Sequence, residues 1–226
     1  MNIIEQTKNG VTFYSADGIT AAGGAVHGFS TRLGGVSEGM WAALNLSVNR
    51  GDDPDHVREN YRRFFAAIGG SGQQLAMTNQ VHGAAVRTVT TADVHNDPYE
   101  KVGYEADGLM TDIPGAALVV YCSDCIPILF YDPVRRCVAA VHAGWRGTAA
   151  GIATAAVDRM KHVYGCQPSD ILAAIGPGIG PDCFETHEDV PNAMTAALGT
   201  GVLHHIRIKE NGKFSVDLKA VNVMRL

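Results

Sequence analysis

The stretch CSDCIPILFYDPVRRCVAAVHAGWRG, residues 122–147, sets two cysteines, an aspartate, a histidine and an arginine among apolar runs. Cys122 and Cys125 have the C-x-x-C spacing shared by redox pairs and zinc ribbons. A ribbon requires a second such pair, and Cys137, Cys166 and Cys183 do not supply one. A redox pair sits at a helix start, where the dipole lowers the thiol pKa. Here Ile-Pro-Ile-Leu-Phe follows Cys125 and reads as a strand. Taken alone, either cysteine is a small buried apolar residue. Ser123 and Asp124 set Cys125 apart, because they are polar residues at a break between two apolar runs, where a strand end opens toward a cleft.

His142 closes the run CVAAV and precedes Ala-Gly-Trp-Arg-Gly. By itself it reads as an ordinary hydrogen-bonded histidine. Gly144 and Gly147 allow backbone to approach a ligand closely, and Arg146 stands where a helix begins, a setting that suits an anion. His82, in NQVHG, likewise follows an apolar residue and precedes glycine. One thiolate and two imidazoles drawn from three segments make a chemically sensible zinc set with a fourth position open. Spacing alone does not establish this centre, because the three residues are far apart in sequence, and three unrelated structural residues remain the plainer reading. His56 and His162 fall on expected helices, the latter near the negative end. His204 and His205 would point to opposite faces of a strand. His95 and His187 lie in or near loops, as does His27, which neighbours Gly28.

These residues need elements to hold them. VTFYSADG alternates like a strand and ends in a turn, and VHGFSTRLGGVS reads as a short strand entering a glycine loop. DDPDHVRENYRRFFAAIGG reads as a helix, capped by Asp53, with Pro54 in the first position and Gly69 at the stop. Val57, Tyr61, Phe64, Phe65 and Ile68 share one face. AALVVYC, IPILFYD and CVAAVHA read as buried strands, the last two joined by a DPVR turn. TAAGIATAAVDRMKHVYG reads as a helix with Thr148 as cap, a stripe of Ile152, Ala156, Met160 and Val163, and Gly165 at its end. ILAAIGPGIGPDCFE is a strand running into a Gly/Pro loop. Strands and helices mix without regular βα alternation, so the expected class is α+β, one domain spanning residues 1–226.

Composition narrows the function. The 226 residues are 46% hydrophobic, enough for a core without disulfide or structural-metal support. A net charge of −5 gives no basic footprint for nucleic acid. No apolar run reaches the roughly 18 residues of a membrane helix, and MNIIEQTKNG does not read as a signal peptide. Five cysteines, an odd count, do not read as a disulfide framework, and the expected compartment is the reducing cytoplasm.

HGFSTRLGGVS, ALNLSVNRGDDPDHVRENYRRF, NQVHG, ADGLMTD, YCSDCIPILFYDP, VAAVHAGWRGTAAGI and AIGPGIGPDCFE cover most of residues 26–188. In these motifs, and in their order, the sequence resembles the YfiH/YlmD family, also called laccase-domain or multicopper polyphenol oxidase-like proteins. The resemblance implies a compact α+β domain with mixed β-sheets flanked by helices, likened to cysteine hydrolases of the cytotoxic necrotizing factor type. It implies a zinc-binding purine nucleoside phosphorylase that also acts on methylthioadenosine and deaminates adenosine. The metal ligands then map onto His82, Cys125 and His142, and Cys122 becomes core. Family members run some tens of residues past VDLKAVNVMRL, so an ordered C-terminal piece is expected to be missing here.

Phosphorolysis requires cationic or N–H groups for phosphate, which nominates Arg32 and Arg146; either also reads as a surface arginine. Asn45, Gln80 and Gly144 are expected substrate contacts, although Asn45 equally suits a turn. Asp124 and Asp107 are expected to shuttle protons or to brace the histidines. The partners are then purine nucleosides and phosphate, in a monomer or small homo-oligomer. The rival readings are a copper-dependent polyphenol oxidoreductase, a metal-free Cys–His hydrolase with Cys125 as nucleophile, and a non-enzymatic binding module. The nine scattered histidines do not supply the several clusters of a multicopper oxidase.

Overall fold

The computed structural model describes residues 1–70 and 74–226. An N-terminal hairpin of β1 (Ile3–Lys8) and β2 (Val11–Ala16) leads into a short helix, α1 (Asp17–Ala22), where the sequence suggests only a turn. β3 (Phe29–Ser30) adds to β2 and completes a three-stranded sheet. Helix α2 (Pro54–Ile68) follows, with Asp53 accepting a bond from the Asp55 N–H and Gly69 in the left-handed conformation that ends it. Val57, Tyr61, Phe64 and Phe65 are buried against Phe13 and Leu75, each contributing about 1.5–3 kcal/mol over exposure.

β4 (Leu75–Ala76) pairs in parallel with β7 (Ala117–Leu118), a two-stranded ribbon beside the main sheet. Only two residues of AALVVYC are therefore strand; the rest is irregular chain whose bonds go partly to side chains, as at Tyr121. The main sheet has the order β10-β8-β9-β6-β5, built from β5 (Val86–Thr88), β6 (Gly108–Thr111), β8 (Ile126–Asp132), β9 (Cys137–Ala143) and β10 (Leu172–Ile175). β8 and β9 form the expected hairpin, in register from Ile126 opposite Ala143 to Asp132 opposite Cys137. Within this sheet only β5 and β6 pair in parallel.

The expected helix after GWRG is two helices, α3 (Trp145–Ala150) and α4 (Ile152–Tyr164), broken at Gly151 in the left-handed conformation. Thr148 is not the cap. It is buried within α3, and its hydroxyl accepts from Asn222 Nδ2. Ile152, Ala156 and Met160 are buried as expected, but Val163 is 43% exposed because the next turn of a 3.6-residue helix brings Tyr164 onto the core.

α5 (Asp189–Leu198), a small sheet of β11 (Glu185–Thr186), β12 (Ile206–Ile208) and β13 (Phe214–Val216), and α6 (Leu218–Arg225) complete the chain. His204 and His205 lie in a 3₁₀ turn, not in a strand. The largest core cluster packs α4, α5 and α6 against β8 and β9.

Candidate metal centre

Strand direction gathers the site. Cys125 directly precedes β8, His142 is next to last in β9, Asp107 directly precedes β6, and His82 lies in the loop before β5. β8 and β6 are antiparallel to β9, and β5 is parallel to β6, so all four positions fall at one end of the main sheet.

There His82, Cys125 and His142 each offer a donor atom, and these atoms lie within 4.8 Å of one another. A tetrahedral zinc with bonds of about 2.0–2.3 Å holds its donors about 3.5 Å apart, so small rotations bring the three onto one ion. The two imidazoles stand edge to face, with centroids 4.9 Å apart. His142 is buried, Cys125 half-buried and His82 exposed, which leaves one side of the group open to solvent.

Asp107 organises the group. Its buried carboxylate accepts the His142 Nδ1–H at 2.8 Å. It also accepts three successive backbone N–H groups, from Val81 at 3.2 Å, His82 at 2.9 Å and Gly83 at 2.7 Å. The first bond fixes the tautomer that leaves Nε2 of His142 as an acceptor facing the other donors. The other three hold His82 at φ 61°, a left-handed conformation that histidine adopts more readily than most residues. Burial keeps the His142 imidazole below its ordinary pKa, against the opposing pull of Asp107. The neutral ring is the form that binds a metal.

The space for the group comes from Gly144. A Cβ there would stand 3.0 Å from Cys125 Sγ and 3.0 Å from His82 Cδ2. Behind Cys125, the Gly/Pro loop supports the turn through Ile179 N–H, which donates to the Asp124 carbonyl at 2.7 Å. Burial, followed by the charges of Asp124 and Asp107, pushes the Cys125 thiol up. That direction is opposite to what an unaided cysteine nucleophile needs. A cation among the three donors reverses it, because a coordinating thiol is deprotonated outright. Cys122, also half-buried, is pushed up to about 12, chiefly by burial.

The other expected residues fall in different places. Gln80 grips the backbone of Tyr121 at two points, donating from Nε2 to the carbonyl at 2.8 Å and accepting its N–H at 2.7 Å. Asp124 is exposed beside Cys125 and makes no bond to either histidine. Arg146, the second residue of α3, is exposed, its guanidinium 4.3 Å over the Trp145 ring. Arg32 donates to the Ala42 carbonyl at 2.6 Å, and Asn45 is bonded to Ser47 and Asp52. No hydrogen bond among the described residues joins Arg32 or Asn45 to the metal donors. His27 is far from this chemistry in role, since its Nε2 accepts the Ala16 N–H at 2.8 Å.

Tyr121, the partner of Gln80, carries little chemical signal in the sequence. Its only signal is its place as the last aromatic before the polar break at Ser123.

The profile of the family described as multi-copper polyphenol oxidoreductase laccase matches residues 26–226. The chain belongs to this family, the YfiH/YlmD family. It is 40% identical over 198 residues to a protein of Deinococcus radiodurans named purine nucleoside phosphorylase, covering 87% of this chain and 72% of that one. It is 37% identical over 205 residues to purine nucleoside phosphorylase YlmD of Geobacillus stearothermophilus, covering 90% of this chain and 75% of the other. The crystal structure of YlmD from Geobacillus stearothermophilus superposes with a TM-score of 0.88 at 34% identity, over 99% of this chain and 83% of that one. The expected α+β class with mixed sheets holds.

Proposed function

We propose that this family member is a zinc-dependent purine nucleoside phosphorylase whose ion is held by His82, Cys125 and His142. The observation that carries the reading is the convergence of these three donors around Gly144, with Asp107 orienting two of them. The names of the relatives supply the reaction. One thiolate and two imidazoles suit zinc. When bound, the ion supplies an open Lewis-acid position.

The remaining work belongs to the chain's own groups. Asp107 keeps the proton on His142 Nδ1 and fixes the loop of His82. Gly144 leaves the open side clear. Arg146, exposed two residues after Gly144, is assigned to attracting phosphate. Asp124, exposed next to Cys125, takes or gives a proton at the substrate. Asn45 and Gln80 have their side-chain amides engaged within the fold, and Arg32 is tied through one nitrogen to the Ala42 carbonyl, so we assign all three to shaping the loops around the site. The same reading extends to methylthioadenosine phosphorolysis and adenosine deamination.

Metal analysis of the purified chain, with adenosine supplied with and without phosphate, tests the reading. Stoichiometric zinc and phosphate-dependent release of adenine are expected; inosine formed without phosphate reports deamination. No zinc and no turnover would overturn it.

The family description favours copper as a second reading. Among the described residues, however, a single group of three such side chains could hold a metal. Stoichiometric copper with phenol oxidation would decide for that alternative.

A further inference from the structure

A cleft of about 650 Å³ is walled by residues 47–50, 77–80, 98–102 and Tyr121. Two of its wall residues lead along the chain to metal donors, Gln80 two residues before His82 and Tyr121 four before Cys125. The Gln80–Tyr121 clasp is part of that wall. Its volume falls in the range of about 300–1,000 Å³ typical of small-molecule sites, and far exceeds what a lone phosphate fills.

The polar groups of the cleft divide into those engaged by the fold and those free of it. Thr78 donates to the Ala106 carbonyl, Asn79 to the Val102 carbonyl, and Gln80 is engaged on Tyr121. The one acidic side chain in the lining, Glu100, accepts the Asn96 and Asp97 N–H groups and contacts His95 Nδ1 at 3.1 Å. Arg50 and Lys101 differ. Among the described residues neither the guanidinium nor the ammonium has an ion-pair or hydrogen-bond partner, although the Arg50 carbonyl accepts from Trp41. The groups left over for a ligand are therefore mainly cationic, beside the half-buried rings of Tyr99 and Tyr121. Cations next to aromatic surface suit a phosphate group carried together with a purine nucleoside.

We propose that this cleft is a nucleoside site in which Arg50 and Lys101 bind a phosphate group. The proposal rests on the purine nucleoside reading of the metal centre for the nucleoside part of the ligand, and on the cleft itself for the phosphate. Two sources share this chemistry, the 5′-phosphate of a purine nucleotide and free phosphate held beside a nucleoside. In the second case Arg50 and Lys101 replace Arg146 as the phosphate ligands.

The test is calorimetric titration of the zinc-loaded full chain with adenosine, inorganic phosphate, both together, and adenosine 5′-monophosphate. Each is repeated on the double variant Arg50→Ala, Lys101→Ala and on Arg50→Glu. Both positions are exposed, and unchanged zinc content confirms that the variants are intact. Loss of the charge-assisted bonds is expected to weaken phosphate-bearing ligands about tenfold or more and to leave adenosine alone unaffected. Tight monophosphate binding with no response to inorganic phosphate assigns the nucleotide source; mutual enhancement by adenosine and inorganic phosphate assigns the free ion. Equal affinities of wild type and double variant for both phosphate ligands would overturn the proposal, as would absence of any phosphate binding to the wild type. If Arg50- and Lys101-dependent binding is seen but adenosine is never cleaved, the phosphorylase reading fails and the cleft stands.

Discussion

Asp107 receives four donated bonds, three from the backbone of residues 81–83 and one from His142. Asn in its place turns one acceptor into a donor facing those N–H groups. Asp107→Asn is therefore expected to lower zinc affinity about 10–100-fold, as losses of such orienting partners do, read by competition with a chromophoric chelator. Unchanged affinity would mean that the loop and the imidazole hold themselves. Gly144→Ala tests the space instead. A methyl group at 3.0 Å from both Cys125 Sγ and His82 Cδ2 forces the donors apart, so zinc content should fall while circular dichroism stays native. At this scale the sequence was informative where chemistry is unusual for its place: His142 ends an apolar run, Cys125 sits at a break between two, and His82 follows an apolar residue and precedes glycine. It could not separate Asp107, which binds His142, from Asp124, which is exposed, because that difference depends on strands distant in sequence.

Elements whose ends are set locally were legible. Asp53, Pro54 and Gly69 bound α2 through contacts within a few residues, and the β8–β9 hairpin follows from two apolar runs and a short turn. The break between α3 and α4 was not, because its partners come from the far end of the chain. Arg225 Nε donates to the Thr148 carbonyl at 3.2 Å, which also accepts the Gly151 N–H, and its Nη2 donates to the Ala149 carbonyl at the end of α3, where the helix breaks at Gly151. Arg225→Ala should therefore destabilise the protein by about 1–3 kcal/mol, the usual cost of unpaired buried groups, measured by urea denaturation. A change within about 0.5 kcal/mol, typical of neutral surface substitutions, would show that water replaces the guanidinium.

Across the whole molecule, the α+β class could be read from irregular alternation, but the order β10-β8-β9-β6-β5 could not, and that order is what turns four scattered residues into one site. The same holds for the cleft of residues 47–50 and 98–102, which no local pattern marks. Tertiary environment also sets how stability responds to acid, and His27 shows how. Its ring is half-buried and its Nε2 accepts the Ala16 N–H at 2.8 Å, a bond the protonated ring cannot accept. Burial lowers its folded pKa below the ordinary 6.5 of an unfolded histidine. The unfolded chain thus binds this proton first, so the contribution of His27 is complete above about pH 6.5 and declines as pH falls toward the folded value. His142 is lowered in the same direction, so wild type alone does not isolate either group. His27→Gln offers an acceptor oxygen that does not titrate. Urea midpoints taken from pH 8 to 5 should therefore fall less steeply below 6.5 in the variant than in wild type. Parallel curves would show that His27 is as readily protonated in the folded protein as in the open chain, and that its bond to Ala16 gives way without cost.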